Sequence, residues 1–179
     1  MKTRLNAKVR NGLVVGGLLF LMSMTSVGYV QADNLTEVEK YWLTFMREEE
    51  KLARDVYLFL YDKWHSRIFN NISESEQTHM DAIKTLLDRY GIPDPAENKG
   101  QGEFSDPDLQ ALYNELIEHG SLSLVNALEV GVEVEETDID DLNVGIATTL
   151  RKDIKTVYSN LLAGSLNHLN AFNSNLARK

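Results

Sequence analysis

The chain contains no cysteine. That absence removes disulfides, thiolate-held iron–sulfur clusters and copper(I) sites, and it leaves stability to a hydrophobic core. It also removes the Cys-x-x-Cys pair of a rubredoxin-like module, so any redox turnover needs an outside reductant. Proline is scarce: Pro93, Pro95 and Pro107 are the only three, and they fall in one stretch. Helices can therefore run long on either side of it. No segment alternates with period two for long enough to make a strand, and there is no solenoid repeat or low-complexity tract. Basic residues are outnumbered, 18 Lys and Arg against 27 Asp and Glu. That balance argues against nucleic acid and against an anionic membrane surface as partners.

One apolar run stands out, at the N-terminus. Lys2, Arg4, Lys8 and Arg10 precede an apolar stretch over 12–22, and Val30-Gln31-Ala32 places small residues around a cleavage site. This is the pattern of a signal peptide over 1–32, with Asp33 as the mature N-terminus. An uncleaved N-terminal anchor is the competing reading. The run is short for a membrane span, no second one follows, and no cysteine is present for lipid attachment. The expectation is an exported protein, periplasmic or secreted, free of the membrane once cleaved. Residues 1–32 carry four basic and no acidic side chains, so the rest has a net charge of −13. Residues 33–179 suffice for one domain.

That domain reads as all-α. Apolar periodicity predicts helices over 36–64, 73–90, 121–148 and 152–177, with a short connector helix over 108–119. Gly91 and the prolines stop the second, Gly120 is the expected C′ residue of the connector, and Gly131 and Gly145 weaken the 121–148 helix. Four long helices and one short one make a bundle pattern.

Ionisable residues interrupt the apolar stripes. In the second long helix, Ile72, Glu76, His79, Ile83 and Leu86 share a face, which puts the Glu76-x-x-His79 step into the buried stripe. The bland alternative is a helix N-terminal turn capped by Ser73 or Ser75. In the first, Leu43, Met46, Glu50, Ala53, Tyr57 and Leu60 align, whereas a stripe through Trp42, Phe45, Leu52 and Val56 would turn Glu49 inward instead. A third possibility is that Glu48, Glu49 and Glu50 are all solvated. In the third, Leu124, Leu128, Val132, Glu135, Ile139, Leu142 and Ile146 form a heptad seam around one carboxylate, with Glu136 and Asp138 as neighbouring candidates. In the fourth, His168 follows Ile154, Val157, Leu161 and Ser165 on the apolar face. His65 and His119 sit at helix ends. Each long helix thus buries an ionisable group, a cost that a shared metal would offset. Carboxylate and imidazole ligands suit iron, manganese or zinc.

The phrases Glu50-x-x-Ala53-Arg54-x-x-Tyr57 and Glu76-x-x-His79 resemble the metal-binding helices of rubrerythrins and bacterioferritins. Residues 47–57, 75–80, 89–91 and 164–169 together resemble a ferritin-like family of bacterial exported proteins known as a domain of unknown function. The resemblance implies a ferritin-like four-helix bundle and a centre of one or two metal ions held by Glu50, Glu76, His79, Glu135 and His168. Glu49, Glu136 and Asp138 are alternative ligands, and Arg54, Tyr57 and Ser165 are supporting residues. One departure is plain: the ferritin pattern has a second Glu-x-x-His on its last helix, and here the step is Ser165-Leu166-Asn167-His168.

Three functions follow as expectations. The first is a redox-active iron or manganese centre with di-metal oxidase or peroxidase-type activity toward oxygen, peroxide or Fe²⁺. The second is a non-catalytic metal-binding or sensing module, which the missing sixth ligand favours. The third is an interaction module without metal, its acids paired internally, for example with Arg54 or Arg151. A homodimer stays open under each.

Overall fold

The computed structural model describes residues 35–179; residues 1–32, where a signal peptide is expected, lie outside the described residues. Five helices follow one another: α1 (Glu37–Trp64), α2 (Arg67–Tyr90), α3 (Pro107–Gly120), α4 (Leu124–Thr148) and α5 (Lys152–Leu176). Among the described residues there is no strand, and no helix is long and apolar enough to cross a membrane.

Local chemistry sets the helix ends. Thr36 caps α1: its hydroxyl accepts from the Glu39 N–H while the Glu39 carboxylate accepts from the Thr36 N–H, a reciprocal capping box. Gly91 closes α2 at φ 64°, with its N–H turned back to the carbonyls of Leu87 and Asp88. Asp106 caps α3 and Pro107 takes its first position, where a missing N–H costs nothing.

Residues 65–66 fold α1 against α2, and residues 149–151 fold α4 against α5. Each neighbouring pair runs antiparallel. Between α4 and α5, Gly131 lies against Phe172, Asp138 against Ser165 and Gly145 against Tyr158. Between α1 and α4, Tyr57 meets Glu135 and Glu39 meets Thr149. Between α2 and α5, Ser75 meets His168 and Tyr90 meets Asp153. The shorter α3 packs on α1 and α4.

Two apolar clusters form the core. One gathers Val56, Tyr57, Leu60, Phe69, Leu128 and Phe172; the other gathers Leu43, Met46, Ile83, Leu142, Tyr158 and Leu161. On every long helix the interrupting ionisable residues fall between them, so a polar layer crosses the middle of the molecule.

Two expectations change. First, α2 starts at Arg67 rather than 73. Asn70 and Asn71 are poor helix formers, but burial of Phe69 and Ile72 outweighs that preference. Ser73 and Ser75 are therefore interior residues, and the capping alternative for the Glu76 region falls. Second, the inward stripe of α4 runs through Leu128, Gly131, Glu135, Asp138, Leu142 and Gly145, while Val132, Ile139 and Ile146 are only half-buried. The glycines do not break the helix. A Cβ at Gly131 would collide with the Phe172 ring, and one at Gly145 would stand 3.0 Å from Tyr158. These glycines are where rings of α5 enter.

The three consecutive acids of α1 are all buried, which overturns the solvated reading, but they point to different tasks. Glu48 accepts from the backbone N–H groups of Ser105 and Asp106. Nearby, Arg47 forms a two-bond fork with Asp94 at 3.0 and 2.9 Å. Lys51 reaches both Asp55 and the Gly100 carbonyl, at 2.5 and 2.7 Å. These contacts hold the 91–106 connection against α1 and leave Glu49 and Glu50 to face inward.

Candidate metal centre

Four helices each deliver one or two side chains to the polar layer. Glu50 comes from α1, Glu76 and His79 from α2, Glu135 from α4 and His168 from α5. Burial leaves Glu50 and Glu135 1 % exposed and Glu76 2 %. Ligand atoms of Glu50, Glu76 and His79 lie within 4.8 Å of one another, and so do those of Glu76, Glu135 and His168. Glu76 belongs to both sets, one oxygen to each: its Oε2 is 2.8 Å from His79 Nδ1 and its Oε1 is 2.8 Å from His168 Nδ1. Further out, His79 Nδ1 stands 3.2 Å from Glu50 Oε2, and His168 Nδ1 stands 3.5 Å from Glu135 Oε2. The two imidazole rings are 5.5 Å apart, centroid to centroid.

The outer edges of these side chains are fixed as well. His168 Nε2 lies 2.9 Å from Ser75 Oγ, which orients its Nδ1 toward the carboxylates. His79 rests on Gly164, where a Cβ would stand 2.5 Å from Nε2. Tyr57 donates its hydroxyl to Glu135 Oε1 at 2.6 Å. Ser165 donates to Asp138 Oδ2 at 2.5 Å and also reaches the Leu161 carbonyl.

Several buried polar atoms here have no hydrogen-bond partner: Glu50 Oε1, Glu76 Oε1, Asp138 Oδ1 and His168 Nδ1. The approach of His168 Nδ1 to Glu76 is short in distance but off the hydrogen-bond direction, so both atoms stay unpaired. Oxygens and nitrogens left without a hydrogen-bond partner in this buried layer are a donor set that fits a divalent cation.

The alternative and supporting residues sort differently. Glu49 and Asp138 are buried but outside both sets. Glu136 is exposed, one residue off the inward stripe, and is no ligand candidate. Arg54 does not orient a ligand carboxylate: it binds Asp55 Oδ1 at 2.9 and 2.8 Å and Gln77 Oε1 at 2.5 Å. Arg151 stands 3.8 Å from Glu39. No Lys or Arg ion pair reaches Glu50, Glu76, Glu135 or Asp138 among the described residues; the basic groups within reach of the three glutamates are His79 and His168. Ser75, Gly164 and Asp141 (7 % exposed) belong to the surroundings of the centre and were not among the predicted site residues.

Comparison with known proteins gives a family. Residues 39–179 match the family model described as an uncharacterized protein domain, DUF2202. The chain belongs to the DUF2202 family. An uncharacterized protein of Methanocaldococcus jannaschii, MJ0754, is 56 % identical over 138 residues, covering 77 % of this chain and 75 % of that protein. A crystal structure of hypothetical protein MJ0754 superposes with a TM-score of 0.80 at 51 % identity, covering 88 % of this chain and 86 % of the other. A crystal structure of a DUF305 fragment from Deinococcus radiodurans has a TM-score of 0.59 at 14 % identity, covering 80 % of this chain and 98 % of the fragment, a likeness of fold alone.

In this DUF2202 chain the electrostatics of the layer follow from burial and from pairing. Burial pushes the Glu50 carboxyl up to about 8, against the pull of His79. Burial likewise raises Glu135 to about 7. Burial also works to raise Glu76, but His168 and His79 together prevail and hold it down to about 2. The imidazoles respond in kind. Burial would lower them, yet Glu50 and Glu76 raise His79 to about 11, and Glu135 and Glu76 raise His168 to about 9. Without a metal, the layer thus keeps its balance by holding protons on both histidines and on Glu50.

Proposed function

We propose that this DUF2202 protein is a ferritin-like metal-binding protein, exported by its N-terminal segment, whose buried carboxylate–histidine centre holds two divalent ions. One observation carries the reading: Glu76 directs one oxygen to each of two three-ligand sets, which is how a carboxylate bridges paired metals in helical bundles. Glu50 and His79 would complete one ion's protein ligands, Glu135 and His168 the other's. Tyr57 holds Glu135 in place, and Ser75 and Gly164 set the planes of the two imidazoles. The ligand types suit iron, manganese or zinc. With iron or manganese bound, the centre would supply electron-transfer chemistry toward oxygen or peroxide. Incubating the Fe²⁺-loaded protein with peroxide and following peroxide consumption tests that activity. Turnover above free Fe²⁺ supports a catalytic centre; none, with two ions bound, leaves a binding or sensing role. That second role has its own support, because Ser165 gives its hydroxyl to Asp138 where a second bridging glutamate would stand.

The proton load predicts how binding depends on pH. A metal ion needs neutral imidazole and ionised carboxylate. At pH 7 it must therefore displace the protons of His79 and His168 and most of that on Glu50, so affinity should rise from pH 6 to 9. The metal-free fold should show the opposite trend. The histidines' folded-state values lie above the unfolded one, so their contribution is complete below about pH 6.5 and is lost as pH rises through 9 and 11. Glu50 acts in the same direction, since the folded state keeps its proton until about pH 8. Glu76 acts oppositely but only in acid, its contribution fading as pH falls from 4.5 toward 2. The metal-free melting temperature should fall between pH 5 and 9 while the increment from added Zn²⁺ grows. Parallel melting curves across that range would contradict the assignment.

A further inference from the structure

We propose that a divalent cation reaches the centre from the side of α3, through a cavity that Glu49 closes from within, and that Glu49 is its last holding point before the ligands. The inference rests on the two-ion reading and adds a route to it. Leu52, Leu112, Leu116 and Val134 wall a cavity of ≈ 30 Å³ between α1, α3 and α4, room for a water or a largely dehydrated ion. Thr137, exposed, and Glu133, half-buried, line its outer part. Glu49 lines its inner part and is itself 6 % exposed, with Oε2 lacking any hydrogen-bond partner. No Lys or Arg ion pair reaches Glu49 among the described residues.

An oxygen of this kind, buried without a donor against a water-sized space, is costly for the fold, and a passing cation is a ligand that would use it. Apolar walls cannot hold the ion, so carboxylates at the two ends define where it rests. The acids continue inward. Glu49 shares a hydrogen bond with Asp141, and burial together with the neighbouring Asp138, Asp141 and Glu50 carboxyls holds its own carboxyl well above the ordinary value, so its proton leaves when a cation arrives. Asp138 keeps its own Oδ1 unpaired, and burial beside Glu50, Glu135 and Glu76 holds its carboxyl well above the ordinary value. Carboxyl groups thus neighbour one another from Glu49 through Asp138 to Glu50, Glu76 and Glu135. The α2–α5 side offers no such series, since it presents the outer edges of the two imidazoles, one packed on Gly164 and the other bonded to Ser75.

Stopped-flow uptake of Co²⁺ by the metal-free protein tests this, with the final cobalt content per chain measured separately. Glu49→Gln keeps the shape and removes an oxygen that can give up its proton to hold a cation. It should slow uptake about tenfold or more, as the passing ion loses its carboxylate resting point and its barrier rises, while the final cobalt content stays that of the unmodified protein. Glu133→Gln at the rim should slow uptake to a smaller extent, and Glu136→Gln, exposed and outside the cavity, should not. Uptake by Glu49→Gln at the unmodified rate, with normal final content, overturns the route and leaves the two-ion centre standing. A lower final content in Glu49→Gln also overturns it, by making Glu49 a ligand. If Glu49→Gln does not fold, an unchanged rate in Glu133→Gln overturns the route. An unmodified protein that takes up no cobalt overturns route and centre together.

Discussion

Replacing Glu76 by alanine should empty both halves of the centre. Its two oxygens face different histidines, so the change leaves Glu50 with His79 on one side and Glu135 with His168 on the other. Two protein ligands apiece are too few for tight binding. Affinity should fall by more than about 100-fold, beyond the 10–100-fold typical of losing a supporting group. Glu50→Ala and Glu135→Ala each touch one set, so each should leave one ion in place. Elemental analysis after dialysis distinguishes these patterns. Glu76→Ala should also weaken the metal-free fold, because Glu76 is the carboxylate held ionised between two buried imidazolium groups. Breaking such a buried arrangement costs about 3–5 kcal/mol, readable in a denaturant titration at pH 7. A Glu76→Ala protein that keeps one ion per chain would show that the two sets do not share their ligand.

Ser165→Glu should have the next largest effect, with a sign that depends on metal. Ser165 is 1 % exposed and donates to Asp138 Oδ2. Glutamate there restores a Glu-x-x-His step with His168, but it removes the hydroxyl donor and sets a second carboxyl beside Asp138. Without metal the fold should lose about 2–5 kcal/mol. With two ions bound, the new carboxylate gains a partner and the loss should be largely recovered, so Zn²⁺ should raise the melting temperature more in the variant than in the unmodified protein. Equal destabilisation with and without metal would place Ser165 away from the ions.

The buried ionisable residues of the polar layer were legible because each breaks an apolar stripe, and a buried stripe tolerates carboxylate only with compensation. The face of α4 was not fully legible. Hydrophobicity pointed to Val132, Ile139 and Ile146, yet the helix turns Gly131, Asp138 and Gly145 inward. A glycine carries no signal of burial when its role is to admit a ring from another helix, here Phe172 and Tyr158. Arg54 shows a second limit. The family resemblance implied a supporting role beside the metal centre, but Asp55 next to it in the chain accepts its bonds, and Gln77 on α2 completes its bonding. Glu48 shows a third, because its partners are backbone N–H groups at 105 and 106, which only the folded 91–106 connection brings near. Spacing put Glu76 in the centre but could not say that its two oxygens face different histidines. That division depends on where α5 places His168, a long-range fact outside any local pattern.

The central claim is that two ions share Glu76, and the most direct measurement is the metal content of the unmodified protein. Metal-free protein would be loaded anaerobically with Mn²⁺, Fe²⁺ or Zn²⁺ at pH 8, freed of excess by gel filtration and assayed for metal and chain concentration. The expected result is two ions per chain, falling to one in Glu50→Ala and to none in Glu76→Ala. One ion per chain in the unmodified protein, or none, would contradict the paired centre.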